Sequence, residues 1–325
     1  MKTSVELKQL YENELKPQLE SMENMRKYIK RWRNLAIVAA VMAYGGFKYL
    51  TYWSNIAIGI IFLIAAIFCA IKALIRYTKY RAEFKEEVVR KVIQLINPEY
   101  SYKPTAHIDS FTFTRSGLFP HKFDRCTGDD MITGSIENVP FKFSELKIEQ
   151  KKETRDSDGN KTTEWSTLFR GIFFYAEFNK NIENSTFILP QSDKKVTNLL
   201  GKEKSKSKYY GEMVKLENPV FEQLFSVYGS SQQEARYVIT PVMMEAIVNL
   251  YNHYKLKMYF SFKADSVYCA IPFNKNLFEP KIGKNGIQYE DIEEMYMLFG
   301  LIETLIKEMN LNTRIWTKEF KQTTL

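Results

Sequence analysis

Two apolar runs dominate the first quarter of the chain. The first, Leu35 to Trp53 (LAIVAAVMAYGGFKYLTYW), is broken only by Lys48. The second, Ile56 to Ile75 (IAIGIIFLIAAIFCAIKALI), carries no charge over the 16 residues from Ile56 to Ile71, and Lys72 sits near its end, where a long stem reaches the headgroups. About 20 helical residues at 1.5 Å each cover roughly 30 Å, the hydrocarbon thickness of a bilayer. Lipid offers free amides no partner, so the runs are expected as transmembrane helices over 35–53 and 56–75. The competing reading is a pair of helices buried in a soluble core. An uninterrupted apolar stretch argues against it for the second run, and Gly45, Gly46 and Lys48 weaken the argument for the first.

Amphipathic patterns flank both runs. Leu7, Tyr11, Leu15, Leu19, Met22, Met25, Ile29 and Trp32 recur at spacings of three and four before the first; Tyr80, Phe84, Val88, Val92 and Leu95 do so after the second. The expected arrangement is a helical arm over 1–34 and a stalk helix over 76–100, extending the hairpin as an antiparallel pair. Pro17 is expected to kink or interrupt the arm and Asn97-Pro98 to end the stalk. An arm lying on the membrane surface is the alternative. Its first 25 residues carry five acids against three lysines, a poor match to anionic lipid.

From residue 101 to 325 the pattern changes. A β-rich segment is expected over 106–190: MITGSIENVPFKFSELKIEQ with a turn at Asn138, the aromatic TEWSTLFRGIFFYAEF, and TFILP, with Asp158-Gly159 at a polar hairpin tip. A polar linker is expected over 191–212 and mixed structure over 213–309. Within the latter, Thr240-Pro241 caps a helix reaching about His253. MYFSF and VYCAI suggest a hairpin around Ala264-Asp265, and a final helix runs from about Tyr289 to Met309. Strands followed by helices, without βαβ alternation, define an α+β, largely antiparallel domain.

The net charge of +8 belongs wholly to the first 91 residues, the remainder being balanced. A nucleic-acid-binding domain would carry its own basic surplus, so that partner is not expected. Arg26, Lys27, Lys30, Arg31, Arg33, Lys72, Arg76, Lys79 and Arg81 flank the runs, against Lys48 between them, which places both termini in the cytoplasm. No cleavable signal is evident. Three cysteines, Cys69, Cys126 and Cys269, fit free thiols in a reducing compartment. Neither run holds a carboxylate or histidine, so the pair reads as an anchor rather than a transport path. Ala39/Ala43 and Ala66/Ala70 have the small-residue spacing that permits a homo-oligomer.

The stretches ITGSIENVPFKFSELKIEQ, LFRGIFFYAEFN, TFILP and LENPVFEQLFSVYGSSQQEARYVITPVMMEAI resemble an uncharacterised bacterial family catalogued only as a domain of unknown function. Phe169-Arg170-Gly171 and Glu234-Ala235-Arg236-Tyr237 through Thr240-Pro241 carry the resemblance most specifically. It implies two N-terminal spans, a cytoplasmic α+β domain and a bacterial inner membrane. It implies no activity.

No H-E-x-x-H, C-x-x-C, phosphate-binding loop or nucleophile elbow is present, so no catalytic residue, metal or cofactor is assigned. Cys126 beside His121, and the acidic Asp124, Asp129 and Asp130, read as ordinary loop residues before they read as a nucleophile pair or a cation site. Asp156, Asp158 and Asn160 alternate as in a calcium loop, but Lys161 and Thr167 stand where glycine and glutamate are needed. Two arginines are recognition or bridge candidates: Arg170 with Glu177, and Arg236 with Glu234 or Glu245. Lys202, Lys204, Lys206 and Lys208 alternate in the linker, as a solvated loop or as contacts to lipid headgroups. The expected function is a membrane-anchored, non-catalytic recognition or scaffold module whose partners are the lipid bilayer and other membrane or cytoplasmic proteins. An anchored enzyme, a hydrolase with an unfamiliar site, is the alternative.

Overall fold

In the computed structural model, which describes residues 4–49, 53–155, 161–191, 204–283 and 286–308, the apolar runs lie in long helices. The order is α1 (Ser4–Leu10), a π-turn (Tyr11–Leu15), α2 (Lys16–Tyr49), α3 (Trp53–Phe84), a second π-turn (Lys85–Val89) and α4 (Arg90–Ile96). The chain divides into two compact units. Residues to Pro98 together with Leu277–Met297 form the first; Glu99–Asn276 and the residues from Leu298 form the second. The sequence pattern carried one domain unbroken from 101 to 325, whereas the structure assigns Leu277–Met297 to the helical unit.

In the first unit α2 and α3 run antiparallel. Trp32 meets Phe68 edge to face at 6.0 Å, and the Arg76 guanidinium lies 5.7 Å from the centre of the Tyr28 ring. Apolar side chains point outward along both helices, Val41, Ile61, Ile64 and Ile75 each being more than 60% exposed. Among the described residues one helix, Ile56–Ile96, is long and apolar enough to cross a membrane, and only 17% of its most apolar window is buried. Two spans were expected. The run in α2 is diluted by Gly45, Gly46 and Lys48, and residues 50–52 lie outside the described residues.

The amphipathic arms pair as their periodicity required. Gln18 Nε2 donates to Glu87 at 2.8 Å and Lys91 Nζ to Gln18 Oε1 at 3.1 Å. Leu7, Leu15, Met22 and Ile29 from one arm, and Phe84, Val88 and Val92 from the other, are buried. Pro17 does not end the helix. It has no N–H to donate, and just before it the chain widens into the first π-turn, in which the Lys16 N–H bonds the Tyr11 carbonyl five residues back. The second π-turn closes the same way, from Arg90 N–H to Lys85 O.

Leu277–Met297 is fastened to the helices of its unit by charge. Glu279 accepts from Arg81 Nε at 2.6 Å and pairs with Lys85 Nζ at 3.2 Å, and Lys85 is 3% exposed. Tyr77 Oη approaches the same carboxylate at 3.4 Å; burial first, and the Glu279 charge second, raise its pKa. Arg26 donates to Glu23 through Nε and Nη2, both at 2.6 Å, and to the Gly283 carbonyl through Nη1. Tyr11 and Tyr289 meet edge to face at 5.3 Å.

The second unit is built on a seven-stranded antiparallel sheet. Its strands are β1 (Ser101–Lys103), β2 (Arg125–Ile136), β3 (Val139–Arg155), β4 (Lys161–Pro190), β5 (Glu212–Val214), β6 (Phe225–Gly229) and β7 (Tyr259–Pro272). The order is β1-β2-β3-β4-β6-β5, with β7 also on β4. The β2–β3 turn falls on Glu137 and Asn138, both with positive φ, as a type I′ turn requires. The Asp158-Gly159 tip and the calcium-like Asp156 to Asn160 stretch lie outside the described residues. The described helices within this unit are α5 (Ser110–Arg115), α6 (Lys204–Tyr210), α7 (Pro219–Leu224), α8 (Gln232–Val238) and α9 (Pro241–Tyr254); α10 (Tyr289–Glu308) closes the described chain, belonging to the first unit up to Met297 and to the second from Leu298. Thr240 Oγ1 accepts from Met243 N–H and Pro241 opens α9, as expected.

Two expectations fail here. MYFSF and VYCAI do not fold back on each other. They are one strand, β7, bent at Ala264 (φ 55°), because β4 alongside carries matching irregularities between Glu177 and Thr186. The lysines of the polar linker are in part helical, α6 occupying Lys204–Tyr210.

Candidate functional site

The strand β4 alternates two apolar sets. Phe174 packs toward Phe141 and Phe143, and Phe143 meets Phe299 of α10 at 5.6 Å. On the opposite face Phe169 and Phe173 join Phe113 of α5, with ring centres 5.9 and 5.1 Å away. Phe119 stacks on Phe113 at 5.5 Å and Phe123 approaches it edge-on at 5.7 Å. These rings hold the loop after α5 against the sheet.

Beside that aromatic cluster opens a cavity of about 710 Å³, within the size range of small-molecule sites. Its walls come from the α5 end and the following loop (Thr114, Phe119, His121, Lys122, Phe123), β4 (Ser185, Phe187), the end of α6 (Ser207, Lys208, Tyr209, Tyr210), Ser230 after β6, and Lys263 of β7. The walls are tied together at two points. Tyr210 Oη donates to the Leu118 carbonyl at 2.8 Å, and Ser261 Oγ to the Ser116 carbonyl at 2.6 Å. Two glycines allow the turns. Gly117 has φ +67°, and Gly211 has φ +89° so close to Gly229 that a Cβ would stand 2.5 Å from its carbonyl.

Among the described residues, three lysines line this space and no carboxylate does. None of Lys122, Lys208 and Lys263 has an ion-pair partner among the described residues. Tyr209 lies 6.3 Å from the His121 ring. His121 Nε2 is buried and has no hydrogen-bond partner among the described residues.

The residues singled out in the sequence scatter around this site. Arg170 donates to Asn276 Oδ1 at 2.7 Å. Glu177 lies seven positions along the same strand, hence on the other face, so the expected pairing does not form. Arg236 is exposed and pairs with neither Glu234 nor Glu245 among the described residues. Glu234 is instead a carboxylate cap. It accepts from the backbone N–H groups of Glu183 and Asn184 at 2.6 and 2.8 Å, where β4 leaves its regular register next to Ser185. Its place three residues after the N-cap Ser231 is the capping-box position, which the sequence showed without showing the distant recipient. Lys202 is outside the described residues, Lys206 is buried, and Lys208 lines the cavity. A uniformly solvated loop is therefore corrected: a helix turns lysines two apart to different sides, where an extended loop would align them.

The other candidates are structural. Asp124 accepts from the Lys151 N–H at 2.7 Å, and buried Asp130 accepts from Tyr102 Oη. Cys126 packs on the aromatic cluster, and burial, reinforced by the Asp109 charge, raises its thiol pKa; it stays protonated and is not among the cavity residues that include His121. Burial likewise pushes the Cys269 thiol far up.

An antiparallel α+β unit with a lysine-lined cavity, in a chain bearing a long outward-apolar helix, is the class of protein this structure defines. Residues 167–311, from β4 through α10, match the family described as "Protein of unknown function (DUF3137)", a domain of unknown function as the resemblance implied. The crystal structure of the mycobacterial trehalose monomycolate transport factor A, TtfA, aligns over 67% of this chain and 94% of that one, at 10% identity and a TM-score of 0.32, a likeness too loose to carry an argument. No curated protein matches the chain.

Proposed function

We propose that the protein is a membrane-anchored, non-catalytic recognition module of the bacterial inner membrane. Two spans over 35–53 and 56–75 hold it, both termini are cytoplasmic, and the second unit takes a ligand in the cavity beside α6. The observation that carries this reading is the cavity itself, open, lined by unpaired cations and hydroxyls, and joined in one chain to a helix that exposes its apolar surface. Binding is favoured over turnover because, among the described residues, no lining hydroxyl is hydrogen-bonded to His121, the one histidine in the wall. Proteins at the membrane surface remain expected partners.

The anchor is tested on the full chain. It should stay in the membrane pellet through an alkaline wash, and a periplasm-active reporter should work when inserted at Ser54 and fail when fused after Leu325. Release into the supernatant, or an active C-terminal fusion, overturns this reading.

A further inference from the structure

We propose that the cavity is selective for an organic anion, a phosphate or carboxylate held among Lys122, Lys208 and Lys263 with its apolar body against Phe119, Phe123 and Phe187. The inference rests on the reading of the cavity as a binding site and adds the chemistry of what it binds.

Charge argues for the anionic head. Beyond residue 91 the chain has no net charge, yet among the described residues the cavity wall gathers three lysines and no acid. Some basic side chains of the same unit are paired with acids: Arg125 and Lys147 share Glu149, at 3.5 and 2.5 Å, and Arg115 stands 3.8 Å from Asp265. Three like charges around one space repel each other, and an anion placed among them removes that repulsion. His121 Nε2 adds a buried polar atom that lacks a partner, the kind of atom that a ligand group satisfies. Hydroxyls of Ser185, Ser207 and Ser230 can donate to the same anion.

The floor argues for the apolar body. Phe187 is 6% exposed and meets Tyr210 edge to face at 5.0 Å, and Phe119 lies 5.1 Å from Phe169. The space is far larger than a bare phosphate needs, and its deep surface is the edge of the aromatic cluster. A small inorganic ion would leave those rings wet, whereas an aromatic or acyl body covers them. Such an amphiphilic anion is presented either by a soluble metabolite or by a membrane lipid, and the chemistry of the site is the same for both.

The test uses the full chain in nanodiscs of neutral phosphatidylcholine, with 1-naphthyl phosphate as the probe. Calorimetry should show saturable binding that weakens as salt rises. 1-Naphthol and inorganic phosphate, each lacking one half of the amphiphile, should bind at least about tenfold more weakly. Lys122→Met and Lys208→Met change exposed side chains and should keep the thermal midpoint while lowering affinity by about tenfold each. Lys263→Met is the third variant. Discs doped with phosphatidic acid separate the sources: competition with the probe assigns a lipid, and undiminished probe binding a soluble anion. Equal binding of 1-naphthol overturns the anionic class but leaves a cavity that binds. Equal binding of inorganic phosphate overturns the apolar body. Unchanged affinity in all three lysine variants overturns the assignment to this cavity, and no binding of any probe removes the binding reading itself while leaving the anchor standing.

Discussion

The two units differ in where they leave apolar surface and unpaired charge. In the helical unit Val41, Ile61, Ile64 and Ile75 face outward, while Lys85 and Arg26 are buried on Glu279, Glu23 and the Gly283 carbonyl. In the α+β unit aromatic rings fill the interior, and Lys122 and Lys208 stand exposed at the cavity without ion-pair partners among the described residues. The outward apolar runs of the helical unit are the arrangement expected against lipid, while its buried ions lie on the flanking arms, outside those runs.

That contrast breaks first at the outward isoleucines. Ile61→Asp with Ile64→Asp costs about 3 kcal/mol per site if the helix lies in lipid, so the chain should leave the alkaline-washed membrane pellet. On a water-exposed helix the same change is within about 0.5 kcal/mol, and a pellet unchanged by the double variant would erase the comparison.

The charges inside the helical unit come next. Glu279→Ala removes the acceptor shared by Arg81, Lys85 and Tyr77, and leaves the Lys85 ammonium at 3% exposure without this partner. The expected loss is about 3 kcal/mol, read as a lower thermal midpoint of the full chain in detergent, with affinity for 1-naphthyl phosphate unchanged. In the other unit, Gly211→Ala sets a Cβ 2.5 Å from Gly229 at φ +89°. It should cost about 2 kcal/mol and weaken the probe's binding as well. Glu234→Ala frees the Glu183 and Asn184 N–H groups, one of them at a half-buried residue, for about 1 kcal/mol. Its effect should fall on ligand affinity through Ser185 and Phe187.

The smallest effect is acid. The Arg26 hydrogen bond holds the Glu23 carboxyl below its ordinary value of 4.5. A carboxyl lowered by folding stabilises the fold above that value and loses its contribution as pH falls through the depressed folded value. Wild type should therefore lose about 0.5 kcal/mol between mildly and strongly acidic pH relative to Glu23→Gln, as followed by circular dichroism.

The helical unit was far more legible in the sequence than the site. Outward apolar runs and the stripe through Leu7, Leu15, Met22 and Ile29 are local patterns, and local periodicity is what a linear sequence displays. The turn at Asn138 and the cap at Thr240 were legible for the same reason. The cavity was not, because its lysines come from positions 122, 208 and 263, on a loop, a helix and a strand that only the tertiary fold brings together. Lys208 was singled out as a headgroup contact among alternating lysines, but nothing near it in sequence pointed to Lys122. Glu234 stood out as a possible partner of Arg236, yet its recipients are backbone amides some 50 positions away. The Ala264 bend looked like a hairpin because a turn residue with positive φ is the same signal in a bulge.

The two π-turns lie level with each other, since Glu14 and Gln18 on one arm face Glu87 and Lys91 on the other. Each holds one residue more than an α-helical turn, which amounts to a rotation of about 100°. The arms thus behave like two gears each advanced by one tooth, still meshed with each other. Deleting one residue from Tyr11–Leu15 alone would spin α1 about 100° and carry Leu7 off the buried seam, whereas the same deletion within Lys85–Val89 would rotate α4 and everything that follows it. Single-residue length changes in these arms should therefore be tolerated at neither place, although neither place lies within an apolar run.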